Sequence, residues 1–155
     1  MPVKRLEGRL PAGPRRVGIV LSRFNQPIGD GLLAGALRAL TEAQIDDAHV
    51  TVASVPGALE TPLVLQRMAQ SGDYDALVAL GAVIRGETYH FEIVANESAA
   101  GVSSVALEFG IPIGNGILTC ENDAQARSRM DQKGYEAAQA ALEIAALFDV
   151  LDEQD

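Results

Sequence analysis

A chain of 155 residues, 48% hydrophobic, is long enough for one domain with its own core and too apolar to remain disordered. A formal net charge of −9 excludes a general nucleic-acid surface, so any cation serving an anionic ligand must be local. Cys120 is the only cysteine, which excludes an internal disulfide and suits a reducing, cytoplasmic setting. The start, Met1 to Leu6, lacks the apolar core of a signal peptide. The longest apolar run, Ala76 to Ile84, is far short of the roughly 20 residues that span a bilayer, so no membrane partner is expected. The two histidines, His49 and His90, lie far apart in no zinc spacing, and no metal centre is expected.

Residues 1–15 read as an arm, because Gly8, Pro11, Gly13 and Pro14 interrupt any regular element. The arm is either disordered or adds a strand to a neighbouring subunit's sheet through Val3 to Leu10. Arg16 to Ser22 is a first strand, and Pro27 suits the first turn of the helix after it. In that helix Ile28, Leu32, Leu33, Leu37 and Leu40 keep helical spacing. His49 to Val55 is a second strand, ended by Pro56-Gly57, and Ala58 to Gln70 a second helix, stopped at Gly72. Ala76 to Ile84 is the third strand, buried on both faces. A third helix spans about Thr88 to Glu108, and Ile113 to Thr119 is a fourth strand. Gly114 and Gly116 in that strand point to something packed close to its backbone. Glu121 to Ala124 opens a last helical region, which Gly134 should divide in two, and Asp149 to Asp155 should fray as an acidic tail. The domain is therefore residues 16–148, between an arm (1–15) and a tail (149–155).

Strands alternating with helices predict an α/β protein: a three-layer αβα sandwich on a four-stranded parallel sheet. Such sheets bind ligands beyond the C-terminal ends of their strands. That rule gathers four turns: Phe24-Asn25, Pro56 to Glu60, Arg85 to His90, and Asn115 to Glu121. Gly86-Glu87-Thr88, between a strand and a helix start, can hold an anion on free N–H groups, or Thr88 is only the helix cap; no Walker lysine follows. His90 is pulled towards neutrality by the helix start and towards its cation by a bound phosphate, which suits a proton shuttle; the bland reading is a capping or surface histidine. Phe24 can stack on a flat ring or fold onto the core. Glu60 can accept from ligand hydroxyls or sit at a helix start as a surface carboxylate. Arg85, Arg127, Arg129 and Lys133 are the local cations, either for a phosphate or for a solvated face. Arg127 and Arg129 cannot both face one way on a helix.

At these residues the chain resembles the lumazine synthases of riboflavin biosynthesis. The matching motifs are Arg23-Phe24-Asn25, Val55 to Glu60, Gly81 to Glu92, and Gly116-Ile117-Leu118-Thr119, in family order and at family-like spacing from about residue 16 to 148. The resemblance implies a flavodoxin-like fold and a transferase. The reaction would condense 5-amino-6-(D-ribitylamino)uracil with 3,4-dihydroxy-2-butanone 4-phosphate to 6,7-dimethyl-8-ribityllumazine, phosphate and water. Imine formation, phosphate elimination and ring closure need neither metal nor organic cofactor. By the same resemblance Phe24 stacks on the pyrimidine, and Ala58, Leu59 and Glu60 hold the ribityl chain and ring edge. Val83 and Ile84 offer backbone contacts, and Gly86, Glu87 and Thr88 bind the phosphate. His90 transfers protons. Arg129, with Lys133 behind it, reaches the phosphate from an adjacent subunit.

The family's sites lie between subunits of a homopentamer, many members stack twelve pentamers into an icosahedral shell, and riboflavin synthase is a candidate partner. The chain departs from the family twice. Asn115 stands where an aromatic wall of the pyrimidine pocket is common, and Met130 to Tyr135 matches the shell-formers' Gly-Asn kink only in part. Two competing readings are a flavin- or lumazine-binding or shell-forming protein with weak catalysis, and a riboflavin synthase of the archaeal kind. An intact Gly86-Glu87-Thr88-x-His90 set with Arg129 speaks against both.

Overall fold

The computed structural model describes residues 2–11 and 13–154. The strands are β1 (Val17–Ser22), β2 (Val50–Val55), β3 (Ala76–Ile84) and β4 (Ile113–Cys120). The helices are α1 (Gln26–Glu42), α2 (Thr61–Ser71), α3 (His90–Phe109) and α4 (Asp123–Asp152), with short 3₁₀ turns at Asp47–His49 and Ala58–Glu60. All strand pairs are parallel, in the order β2-β1-β3-β4. This is the flavodoxin-like αβα arrangement, whose switch point falls between β1 and β3.

Alternation of side chains along the central strands sorts the core into two halves. Ile19, Val78, Leu80 and Leu118 face α1 and α4, meeting Ile28, Leu32 and Leu142. Val20, Leu77, Ala79, Val83 and Ile117 face α2 and α3, meeting Leu65, Val94 and Val102. The unbroken apolar run of β3 is thereby explained: both of its faces are covered, whereas β2, at one edge, leaves Thr51 and Val52 exposed.

Element starts differ from the sequence expectations where turns have their own geometry. His49 belongs to a 3₁₀ turn that Asp46 caps, its carboxylate accepting from the Ala48 N–H at 2.9 Å, so β2 begins one residue later. The residues from Ala58 to Glu60 form a tighter turn, and α2 starts at Thr61 with Pro62 in its first turn. α3 starts at His90 rather than Thr88, with Tyr89 in the capping position.

The expected division at Gly134 is corrected: α4 is one helix of 30 residues. A Cβ on Gly134 would lie 2.0 Å from the Leu32 carbonyl oxygen, and one on Gly35 would lie 2.1 Å from that of Asp131. These glycines let α1 and α4 approach backbone to backbone. Gly134 marks a crossing, not an end, and its helix-propensity cost of about 1 kcal/mol is offset by that packing.

The expected fraying of the tail is also corrected. α4 continues to Asp152, past the expected fraying at Asp149, which pairs with Arg15. The arm carries no strand or helix among its described residues, yet it is attached: Leu10 packs against the core and Gly8 lies on the backbone of Glu143 to Leu147. Lys4 meets Gln154. Met1, Ala12 and Asp155, parts of the predicted arm and tail, lie outside the described residues.

Candidate active site

Three of the four turns converge. The Arg23 N–H donates to the Val55 carbonyl at 2.8 Å and the Phe24 N–H to the Pro56 carbonyl at 3.1 Å, fastening the turn after β1 to the turn after β2. Asn25 then adopts the left-handed conformation (φ 62°), and its side-chain amide reaches the Ala82 carbonyl on β3 at 3.5 Å. Between these turns and the start of α3 lies a cleft of about 530 Å³. Phe24 stands at its rim, 71% exposed, and the segment Pro56 to Glu60 forms one wall. Ala82, Val83 and Ile84 form the floor, and Gly86, Thr88, His90, Phe91 and Val94 close the far side. The cleft sits where β1 and β3 end, at the switch point of the sheet.

The turn of residues 86–88 is open. No heavy atom lies within 4 Å of where a Gly86 Cβ would be, so packing within the chain does not require glycine there. The N–H groups of Gly86, Glu87 and Thr88 find no acceptor among the described residues. Thr88 is not the helix cap: its hydroxyl accepts a long bond of 3.4 Å from the His90 N–H, and Tyr89 holds the cap position without capping it. Free N–H groups beside a helix start are an anion site in waiting.

Arg85 is not a free cation beside this turn. Its Nε donates to the Glu121 carboxylate at 2.6 Å, its Nη1 pairs with Glu92, and its guanidinium lies 4.4 Å from the centre of the Phe91 ring. The bonds to Glu92 and then Glu121 hold the Arg85 guanidinium above its ordinary range, and the bond to Arg85 holds the Glu92 carboxyl below its own.

The remaining predicted residues lie elsewhere on the chain. Arg129 and Lys133 line a second cleft of about 610 Å³, between α4 and Ile117 to Cys120 at the open edge of β4. The Arg129 guanidinium donates to the Gln125 carbonyl at 3.0 Å and to the Ser128 hydroxyl at 3.3 Å. Among the described residues neither Arg129 nor Lys133 has a salt-bridged carboxylate. Arg127 points away and pairs with Asp123, as helical spacing required. Asn115 is exposed on β4, where its side-chain oxygen accepts from the Ile117 N–H at 3.0 Å, and it lines neither cleft. Glu87 lies in the open turn with its side chain outside the cleft lining. One chain thus assembles an exposed phenyl ring, a carboxylate, an open N–H turn and a histidine around one cleft, and carries Arg129 and Lys133 on another face.

Sequence reasoning missed Phe91 and Val94 as cleft walls, because their helical spacing read as core. It also missed Glu92 and Glu121 as partners of Arg85, since nothing in a spacing of 36 residues joins Arg85 to Glu121.

The model of the 6,7-dimethyl-8-ribityllumazine synthase family matches residues 14–149. A 6,7-dimethyl-8-ribityllumazine synthase of Azoarcus sp. (strain BH72) is 53% identical over 149 residues, covering 96% of each chain. That of Paraburkholderia phymatum is 50% identical over 155 residues, covering all of this chain and 90% of the relative. The chain belongs to the 6,7-dimethyl-8-ribityllumazine synthase family. Membership agrees with the αβα fold and with the grouping of Phe24, Glu60, Thr88 and His90 around one cleft. It does not by itself assign roles to these side chains. Among the described residues there is no cluster of His, Cys, Asp and Glu that could hold a metal, and no helix long and apolar enough to cross a membrane.

Proposed function

We propose that this chain condenses 5-amino-6-(D-ribitylamino)uracil with 3,4-dihydroxy-2-butanone 4-phosphate to 6,7-dimethyl-8-ribityllumazine, phosphate and water. The observation that carries the reading is the single cleft that joins Phe24, Glu60, the open turn of residues 86–88 and His90. Each part fits one part of the two substrates. Phe24 presents an exposed ring for offset stacking on the pyrimidine. Glu60 accepts hydrogen bonds from ribityl hydroxyls, and the backbone around Ala58 and Leu59 completes that wall. Val83 and Ile84 meet the pyrimidine edge through their backbone. Gly86, Glu87 and Thr88 take the phosphate on backbone N–H groups and the Thr88 hydroxyl.

His90, one turn from that phosphate, moves protons as the amine and the ketone form an imine, as phosphate leaves and as the second ring closes.

The phosphate also needs a cation, and Arg85 is already held by two carboxylates. Arg129 and Lys133 sit on the far edge of the sheet, at β4. The reading is therefore a site completed by a second copy, which brings Arg129, Lys133 and the polar wall of Asn115 against the first copy's cleft. A homopentamer satisfies every site in a closed ring of such contacts. The unbroken α4 favours the pentamer over the shell, whose builders in this family carry a kink where Met130 to Tyr135 stand. The free edge of β2 is a place for a neighbour's arm once that arm leaves its own α4.

Mixing both substrates with the purified protein tests the reaction. Lumazine fluorescence and phosphate should appear together, and the absence of both would sink the reading.

A further inference from the structure

The turn of residues 86–89 has little to hold its shape from within. Among the described residues its hydrogen bonds all run to the start of α3: the long contact of the Thr88 hydroxyl with the His90 N–H, and the Tyr89 carbonyl accepting from the Glu92 and Ile93 N–H groups at 3.1 and 3.3 Å; nothing packs where a Gly86 side chain would be. Its geometry is therefore set by its two ends. The first is Arg85, whose N–H donates to the Cys120 carbonyl at 2.9 Å and extends the β3–β4 ladder past Ile84. The second is the start of α3, where Phe91 and Glu92 follow His90.

The Arg85 side chain spans both ends. Its Nε is bonded to Glu121 beyond β4, its Nη1 to Glu92 in the first turn of α3, and its plane lies on Phe91. A planar guanidinium offers separate, fixed N–H groups to two carboxylates while its face stacks on a ring, a geometry that a point-like ammonium does not reproduce. The group of one arginine and two carboxylates is also net negative, so it does not attract a phosphate.

We infer that Arg85 is a positioning residue for the condensation: by clamping the end of β4 and the first turn of α3, it sets the N–H groups of residues 86–88 and the place of His90, without touching the phosphate. This deepens the phosphate-turn reading above and rests on it. In the reaction, the clamp holds donor N–H groups and a proton-transfer group at a fixed separation, where a shift of about 1 Å costs on the order of 100-fold in rate.

The test is steady-state kinetics of Arg85→Met and Arg85→Lys beside Arg129→Ala and Thr88→Ala, with the oligomer's elution and thermal melt checked for each. Arg85→Met should lower kcat by about 10- to 100-fold, with KM for the butanone phosphate within about threefold of the parent. Arg85→Lys should fare no better, because it restores charge without the fork. Glu121→Gln, which keeps the arginine and serves if Arg85→Met fails to fold, should lower kcat in the same way. Combined with Arg85→Met it should add little.

The inference is overturned if Arg85→Met raises that KM as Arg129→Ala does, with kcat unchanged, and Arg85→Lys restores it; Arg85 would then be a phosphate ligand. It is equally overturned if Arg85→Met and Glu121→Gln behave as the parent. Thr88→Ala separates the two levels. A KM for butanone phosphate unmoved both by that change and by Gly86→Ala removes the phosphate from the turn, and this inference falls with it. A raised KM there, with Arg85 variants unaffected, fails the clamp alone.

Discussion

His90 occupies the first position of α3 and faces the cleft beside an open N–H turn. Its neighbours in the cleft include two phenyl rings, the Thr88 hydroxyl and the Glu60 carboxylate, and it is the only imidazole among the lining residues. His90→Ala should lower kcat by about 10²- to 10⁴-fold while the dissociation constant of the pyrimidine, followed by fluorescence titration, changes far less. Equal losses in both would make His90 a binding group. Gly86 gives a complementary test, since the chain leaves room for a methyl group there. Gly86→Ala should leave the melting temperature within a degree or two and raise KM for the butanone phosphate; loss of stability without a change in KM would mean that the glycine serves the fold. Cys120 is 6% exposed, and burial pushes its thiol above the ordinary range. A thiol reagent at pH 8 should therefore label it only as the protein unfolds, and rapid labelling of the native oligomer would contradict that burial.

Helix α4, which lines the second cleft with Arg129 and Lys133, crosses α1 backbone to backbone at Gly134 and Gly35. Helix propensity alone says that Gly134→Ala should stabilise by about 1 kcal/mol. The crossing says the opposite, since the new methyl would meet the Leu32 carbonyl at 2.0 Å, and backbone cannot yield as a side-chain end does. The clash should win, with a net loss of at least 1–3 kcal/mol read from the denaturant midpoint. An unchanged or raised midpoint would mean that the helices part without cost. The same crossing explains why a glycine in the middle of α4 misled a reading by propensity. Its reason lies on another helix, about 100 residues earlier in the chain.

At the scale of the whole molecule, the chain carries the cleft with His90 and the cations Arg129 and Lys133 on different faces. The cleft with His90 lies at the ends of β1 and β3, and Arg129 lies at the free edge of β4. If two copies share each site, His90→Ala and Arg129→Ala are defects in different subunits of the same site. Co-expressed as mixed oligomers, the two variants should recover activity that neither has alone, through interfaces that pair an intact His90 with an intact Arg129. No recovery in oligomers shown to be mixed would place Arg129 in its own subunit's site or outside the reaction.

The sequence by itself determined the elements and most of the cleft. An apolar β3 buried on both faces, helical spacing in the segments between strands, and Pro27, Pro56 and Gly72 as punctuation are local signals with local causes. Because parallel strands must place their following turns at one end, those signals also brought Phe24, Glu60, Thr88 and His90 together before any coordinates. Only the tertiary structure decided what depends on contacts between distant residues. It joined Arg85 to Glu92 and Glu121, so that Arg85 is not a free cation beside the turn of residues 86–88. It turned Gly134 from a break into a crossing, and it set Arg129 and Lys133 at the far edge of the sheet. The physical reason is the same in each case. Secondary structure follows from periodicity along the chain, whereas an ion pair, a helix crossing or the face on which a cation lies is fixed by distances in space that periodicity does not encode.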